Sequence, residues 1–153
     1  IGSLKASPEF GRTLLFRDRF GVVCPANHPL TKNWTELGWP DLAGTAFISN
    51  GLCQHIHDPE FAPVLAASRL NVLNTASILS LVRAGVGITV LPELAVLPGF
   101  ADPAFLPLTG SDAHREVWVA TPPARLQTPA ARALPAAILQ ADITIEQNSE
   151  KLK

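Results

Sequence analysis

The stretch from Leu70 to Pro92 constrains the fold more than any other part of the chain. Leu70-Asn71-Val72-Leu73 alternates and predicts a strand. Asn74-Thr75 supplies a helix cap, and Ile78, Leu79 and Val82 then fall at helical spacing on one face. Gly85 stops that helix, because a left-handed residue costs least where there is no Cβ. Val86-Gly87-Ile88-Thr89-Val90-Leu91 follows as a buried strand. Strand, helix and strand in so short a span make a βαβ unit, which calls for parallel pairing and a right-handed crossover. An α/β fold is expected.

Upstream, Leu14-Leu15-Phe16 and Phe20-Gly21-Val22-Val23-Cys24 predict two extended segments separated by the charged Arg17-Asp18-Arg19. The second is nearly all apolar, as in a strand covered on both faces. Pro25 ends it, and Asn27-His28-Pro29-Leu30 is turn chemistry. Short helical turns are expected at Trp34 to Leu37 and at Asp41-Leu42, and a strand at Thr45 to Ile48. Asp58-Pro59-Glu60 predicts a helix start, with Pro63 limiting the helix that follows. Glu93 to Leu97 predicts another short helix, and Pro98 to Pro103 an irregular surface stretch. Strands are expected at Ala104 to Leu108 and Glu116 to Ala120, then a helix capped by Thr128-Pro129 and interrupted or kinked at Pro135.

Composition narrows the function classes. With 153 residues, 47% hydrophobic and 16% charged, the chain is neither disordered nor larger than one domain or two small lobes. A net charge of −1 argues against gripping nucleic acid unaided, because phosphate binding needs surplus Lys and Arg. The longest apolar stretches, near Ile88 to Leu91 and Val117 to Ala120, fall short of the roughly 20 residues a membrane helix requires. A soluble domain in a reducing, cytoplasmic compartment is expected, with no membrane partner. The start at Ile1-Gly2-Ser3 and the absence of Met point to a fragment or a processed product.

Several clusters invite chemistry. Cys24 and His28 could be nucleophile and base, but nothing nearby supplies a third group, and a buried structural Cys is the better reading. Cys53, His55, His57 and Asp58 match no closed zinc pattern, so no metal is expected. Gly85-x-Gly87 follows a helix, whereas phosphate cradles open one, so no nucleotide cofactor is implied. Ser49-Asn50-Gly51 and Asn74-Thr75-Ala76-Ser77 are different: each leaves the end of a short strand, and the second opens a helix. Ligands of open parallel sheets sit beyond such strand ends, and a helix N-terminus suits a carboxylate or similar anion. Spacing alone leaves a second reading slightly ahead, in which Asn74 or Thr75 only caps its helix and Ser49 satisfies a turn.

Four motifs in order resemble the effector-binding domain of LysR-type transcriptional regulators. They are Phe20 to Leu30 with its His28-Pro29-Leu30 turn, Asp41 to Ile48, Ser77 to Glu93, and Arg115 to Ala120 followed by Thr128 to Arg132. The resemblance implies a periplasmic-binding-protein-like (type 2) lobe, α/β, with a mixed, mostly parallel sheet flanked by helices, plus remnants of a second lobe. Residues 1–19 would be a remnant of the first lobe and a hinge strand, and residues 20–121 the second effector-binding lobe. Residues 122–143 would return to the first lobe with its C-terminal helix, and 144–153 would be a polar tail. It implies a small-molecule effector held between lobes, with Ser49, Asn50, Asn74 and Thr75 facing it. It also implies a homo-oligomer that meets DNA only through a winged helix-turn-helix outside this segment, with no enzymatic activity, cofactor or metal. Self-association of the fragment is expected. A solute-binding protein of a transport system shares the fold and is the main alternative; an enzyme using Cys24 is the third.

Overall fold

Fourteen consecutive residues, Gly11–Cys24, form one strand, β1. Two strands were expected here. The charged triplet does not interrupt β1, because it alternates as a strand should: Arg17 and Arg19 point to solvent and Asp18 points inward. A computed structural model describes residues 10–32, 37–96, 102–109 and 114–140. The remaining elements are β2 (Ile48–Ser49), α1 (Ala62–Ala67), β3 (Leu70–Asn71), α2 (Thr75–Arg83), β4 (Thr89–Pro92), β5 (Ala104–Pro107), β6 (His114–Thr121) and α3 (Pro129–Gln140). The first residues, Ile1-Gly2-Ser3, and the polar tail 144–153 lie outside the described residues.

The chain divides into two compact units. The larger is Arg17–Arg115; the smaller comprises the residues up to Phe16 and those from Glu116 onward. In the larger unit β1 is the central strand. It runs antiparallel to β4, from Phe20 opposite Pro92 to Val23 opposite Thr89. On its other side it runs antiparallel to β5, from Gly21 opposite Pro107 to Cys24 opposite Ala104.

The expected βαβ unit is present. β2 and β3 are parallel, with Ile48 opposite Leu70 and Ser49 opposite Asn71. On the other side of β2, Phe47 bridges Ile88 in parallel; the Ile48 N–H donates to Ile88 O and the Ile88 N–H to Ala46 O, each at 2.8 Å. The sheet is therefore mixed, its parallel pairings gathered around β2 and at Leu37–Leu108. β3 is only two residues long, although the Val72 N–H still donates to Ser49 O at 2.9 Å.

Both faces of β1 are covered, which accounts for its apolar run. Phe20, Val22 and Cys24 face one core with Trp39, Leu42, Phe47, Phe61, Val64 and Leu106. Val23 faces the other, with Ile48, Leu91 and the buried stripe Ile78 and Val82 of α2. Burying each of those two α2 side chains contributes roughly 1.5–3 kcal/mol, more than the propensity of a nine-residue helix provides. Gly85 takes φ +73° just past the helix, in the left-handed region where a Cβ is costly.

Other expectations are adjusted. The helix expected from Asp58 starts later, at Ala62, because the Asp58 carboxylate accepts from the Glu60 N–H (2.8 Å) and closes a turn instead. Pro63 then sits in the first turn of α1, where its missing N–H costs nothing. Residues 33–36 lie outside the described set, and Leu37 bridges Leu108 rather than joining a helix. In the smaller unit, α3 runs through Pro135, and Thr128 Oγ1 accepts from the Ala131 N–H (3.2 Å) as its cap. Every fully buried residue among those described belongs to the larger unit.

Candidate ligand edge of the larger unit

Parallel pairing sends β2 and β3 out of the sheet at the same edge. β2 ends at Ser49 and leads into Asn50 and Gly51, and the segment after β3 carries Leu73 and Asn74 and opens α2 at Thr75. The two are tied by the Val72 N–H bond to Ser49 O, and a Cβ placed on Gly51 would come into van der Waals contact with the Leu73 side chain. All four residues singled out from the sequence thus sit on one edge of one unit, in different roles.

Asn74 is the N-cap of α2. Its Oδ1 accepts from the Ser77 N–H (3.0 Å) and the Ser77 hydroxyl (3.3 Å). The next two amides, of Thr75 and Ala76, are the first-turn donors that a helix leaves without intrahelical partners. They carry the partial positive charge of the helix end, and the Thr75 side chain is exposed beside them. Leu73, 80% exposed, adds apolar surface to the same rim.

Ser49 and Asn50 are buried and internally bonded. The Ser49 hydroxyl donates to Leu70 O (3.1 Å). The Asn50 amide nitrogen donates to Thr89 Oγ1 (3.1 Å) and Val90 O (3.0 Å), while its oxygen accepts from the Leu52 N–H (2.9 Å). The Thr89 hydroxyl in turn donates to Ile48 O (2.8 Å). These bonds hold the β2 loop against β4. Thr89 escaped the sequence reading, yet a hydroxyl inside an otherwise apolar strand was its signal.

The other candidate chemistry is structural. Cys24 and Cys53 are buried free thiols. Burial first, and the Asp102 charge second, push the Cys24 thiol up to about 11; burial raises Cys53 as well. His28 Nδ1 accepts from the Leu30 N–H (3.3 Å) as the cap of a short turn, and burial lowers its pKa. Among the described residues no three His, Cys, Asp or Glu side chains gather in a way that could hold a metal ion. None of their helices is long and apolar enough to cross a membrane. A shallow apolar groove of about 460 Å³, lined by Pro40, Leu42, Pro63, Val64 and Ala67 among others, includes none of the four edge residues.

A mixed sheet covered on both faces, with a capped helix opening at the carboxyl edge of its parallel strands, defines a lobe of the type 2 periplasmic-binding-protein-like class. The chain belongs to the LysR substrate binding domain family, whose profile matches residues 1–142. It is thus an effector-binding domain of the LysR type, as its four motifs implied, and the family is a regulatory one. No curated protein matches it. Among solved structures, the reduced form of OxyR from N. meningitidis is similar at TM-score 0.71 and 20% identity, covering 94% of this chain and 70% of that one. Full-length BenM E226K gives TM-score 0.74 at 22% identity, covering 90% and 48%. The effector binding domain of QuiR in complex with shikimate gives 0.68 at 22%, covering 89% and 66%. The chain therefore spans about two thirds of isolated effector domains and about half of a full-length regulator.

Proposed function

We propose that this chain is the effector-sensing part of a LysR-type transcriptional regulator, and that its larger unit binds a small anionic metabolite at the edge formed by Ser49-Asn50-Gly51 and Asn74-Thr75. The observation that carries this reading is the convergence of two strand-end loops on the open N-terminus of α2. The Thr75 and Ala76 amides and the Thr75 hydroxyl would meet the anionic group, and Leu73 the apolar body. Ser49 and Asn50 would shape the rim through their internal bonds, and Asn74 would aim the helix. Solved relatives support the ligand class: the QuiR domain is in complex with shikimate, a carboxylic acid.

Binding would favour one arrangement of the regulator over another and shift it that way. DNA contact falls to a winged helix-turn-helix outside these 153 residues, in keeping with their net charge of −1. The working form is a cytoplasmic homo-oligomer. The family favours this reading over a transport solute-binding protein.

The test is a thermal-shift and calorimetric titration of the chain with shikimate, a panel of small mono- and dicarboxylates, and inorganic phosphate. At least one anion should raise the melting temperature while its neutral amide counterpart does not. If no anion binds, or amides bind equally well, the anionic assignment is wrong.

A further inference from the structure

Both strands that link the two units, β1 and β6, are fastened inside the larger unit at one buried carboxylate. Asp18 is 1% exposed. Its Oδ2 accepts from Arg115 Nε (3.0 Å) and Nη2 (2.8 Å), and its Oδ1 from the Leu94 N–H (3.3 Å). On the next residue, Arg19 grips Glu93 through Nε (2.6 Å) and Nη2 (3.0 Å). The turn that ends β4 is thus held by two consecutive β1 residues pointing to opposite faces. Arg115, the second residue of β6, is the last residue of the larger unit, and Asp18, on β1, is the second residue of that unit.

The other end of β4 is held by Asn50, through Thr89 and Val90. Between them, β4 is a strand locked to β1 by its ladder. We infer that Asn50, β4 and the Asp18–Arg115 pair form a coupling device joining the candidate ligand edge to the point where both connecting strands leave the larger unit. From Val90 the strand runs two more residues to Pro92, about 7 Å of extended chain, and the turn Glu93–Ala95 then carries Leu94. The path is a short hydrogen-bonded strand followed by a tight turn, and it ends in a charge-assisted fork, so a shift at the β2 loop can tilt Leu94 only by straining the Asp18 contacts. Removing such a contact should be felt at the far end. The coupling stands on these bonds alone; its regulatory meaning rests on the ligand reading above.

Amide exchange in the ligand-free 153-residue chain, read residue by residue, tests it. Asp18→Asn presents an amide donor to the Arg115 or Leu94 donors and can unfold the unit, so the working variant is Arg115→Lys, which keeps the charge and loses the fork. Exchange at Leu94 should rise about tenfold, the effect of weakening one buried charged hydrogen bond. Exchange at Leu52, which reports the Asn50 oxygen, should rise with it, while Leu65 of α1 stays unchanged. Asn50→Ser should reciprocally speed Leu94. If Arg115→Lys moves Leu94 but leaves Leu52 as in the parent, the device is absent. A uniform rise that includes Leu65 also overturns it, since that is global loss of stability. No ligand enters the measurement, so it can fail while the titration above succeeds, and the reverse.

Discussion

Gly87 lies so close to the carbonyl of Ala46 that no Cβ fits between them. That carbonyl accepts the Ile88 N–H at 2.8 Å, so it cannot retreat without breaking the parallel bridge that completes the βαβ unit. Gly87→Ala should therefore destabilise the chain by about 3 kcal/mol, the upper range for overpacking. Gly85 has open space around it and needs only its positive φ, so Gly85→Ala should cost about 1 kcal/mol. Urea unfolding of the two variants gives the order; a larger loss for Gly85→Ala would contradict the packing account.

The cap and the proposed ligand contact at α2 separate by mutation. Asn74→Ala removes the cap and should cost about 1 kcal/mol. Thr75→Val, exposed in the first turn, should change stability by less than about 0.5 kcal/mol. It should nevertheless weaken binding of whichever carboxylate the titration identifies. Calorimetry on both variants decides this, and undiminished affinity in Thr75→Val removes Thr75 from the site.

The two thiols should be inert in the native state. At pH 8, iodoacetamide should label neither Cys24 nor Cys53 in the folded chain and both in urea, as followed by mass. The same burial makes stability depend on pH. Cys24 titrates from 9.0 in the unfolded chain but near 11 when folded, so the unfolded state releases its proton first as pH rises. Its contribution is intact below about pH 9 and is lost progressively toward pH 11. A Cys24→Ala variant should show a flatter stability profile across that window; an identical slope would sink the assignment.

Phe61 anchors the core on the α1 side. Its ring lies 4.7 Å from that of Trp39 and meets Phe47 edge-on at 5.8 Å. Phe61→Ala should cost about 3–5 kcal/mol, while Phe61→Leu, which refills most of the volume, should cost less than half as much. Equal losses in denaturant titration would place the value of Phe61 in its ring contacts rather than its volume.

What the amino-acid order determined by itself is the helix at the centre of the Leu70 to Pro92 stretch and the family. The strands that flank that helix are Leu70–Asn71 and Thr89–Pro92, shorter than the expected Leu70 to Leu73 and Val86 to Leu91. Asn74 caps α2, Ile78 and Val82 form its buried stripe, and Gly85 ends it, because capping, helical spacing and a positive φ each depend on neighbours a few residues away. Tertiary structure decided the rest. Arg17-Asp18-Arg19 reads as a break until Arg115, 97 residues later, supplies the counter-charge that lets Asp18 be buried within one long strand. Asn50 reads as a strand-end amide with open donors until Thr89 and Val90, about 40 residues on, accept from its amide nitrogen. Strand-end polar residues advertise an unsatisfied hydrogen-bonding capacity. Whether the chain itself or a ligand satisfies it depends on partners that only the folded sheet brings near.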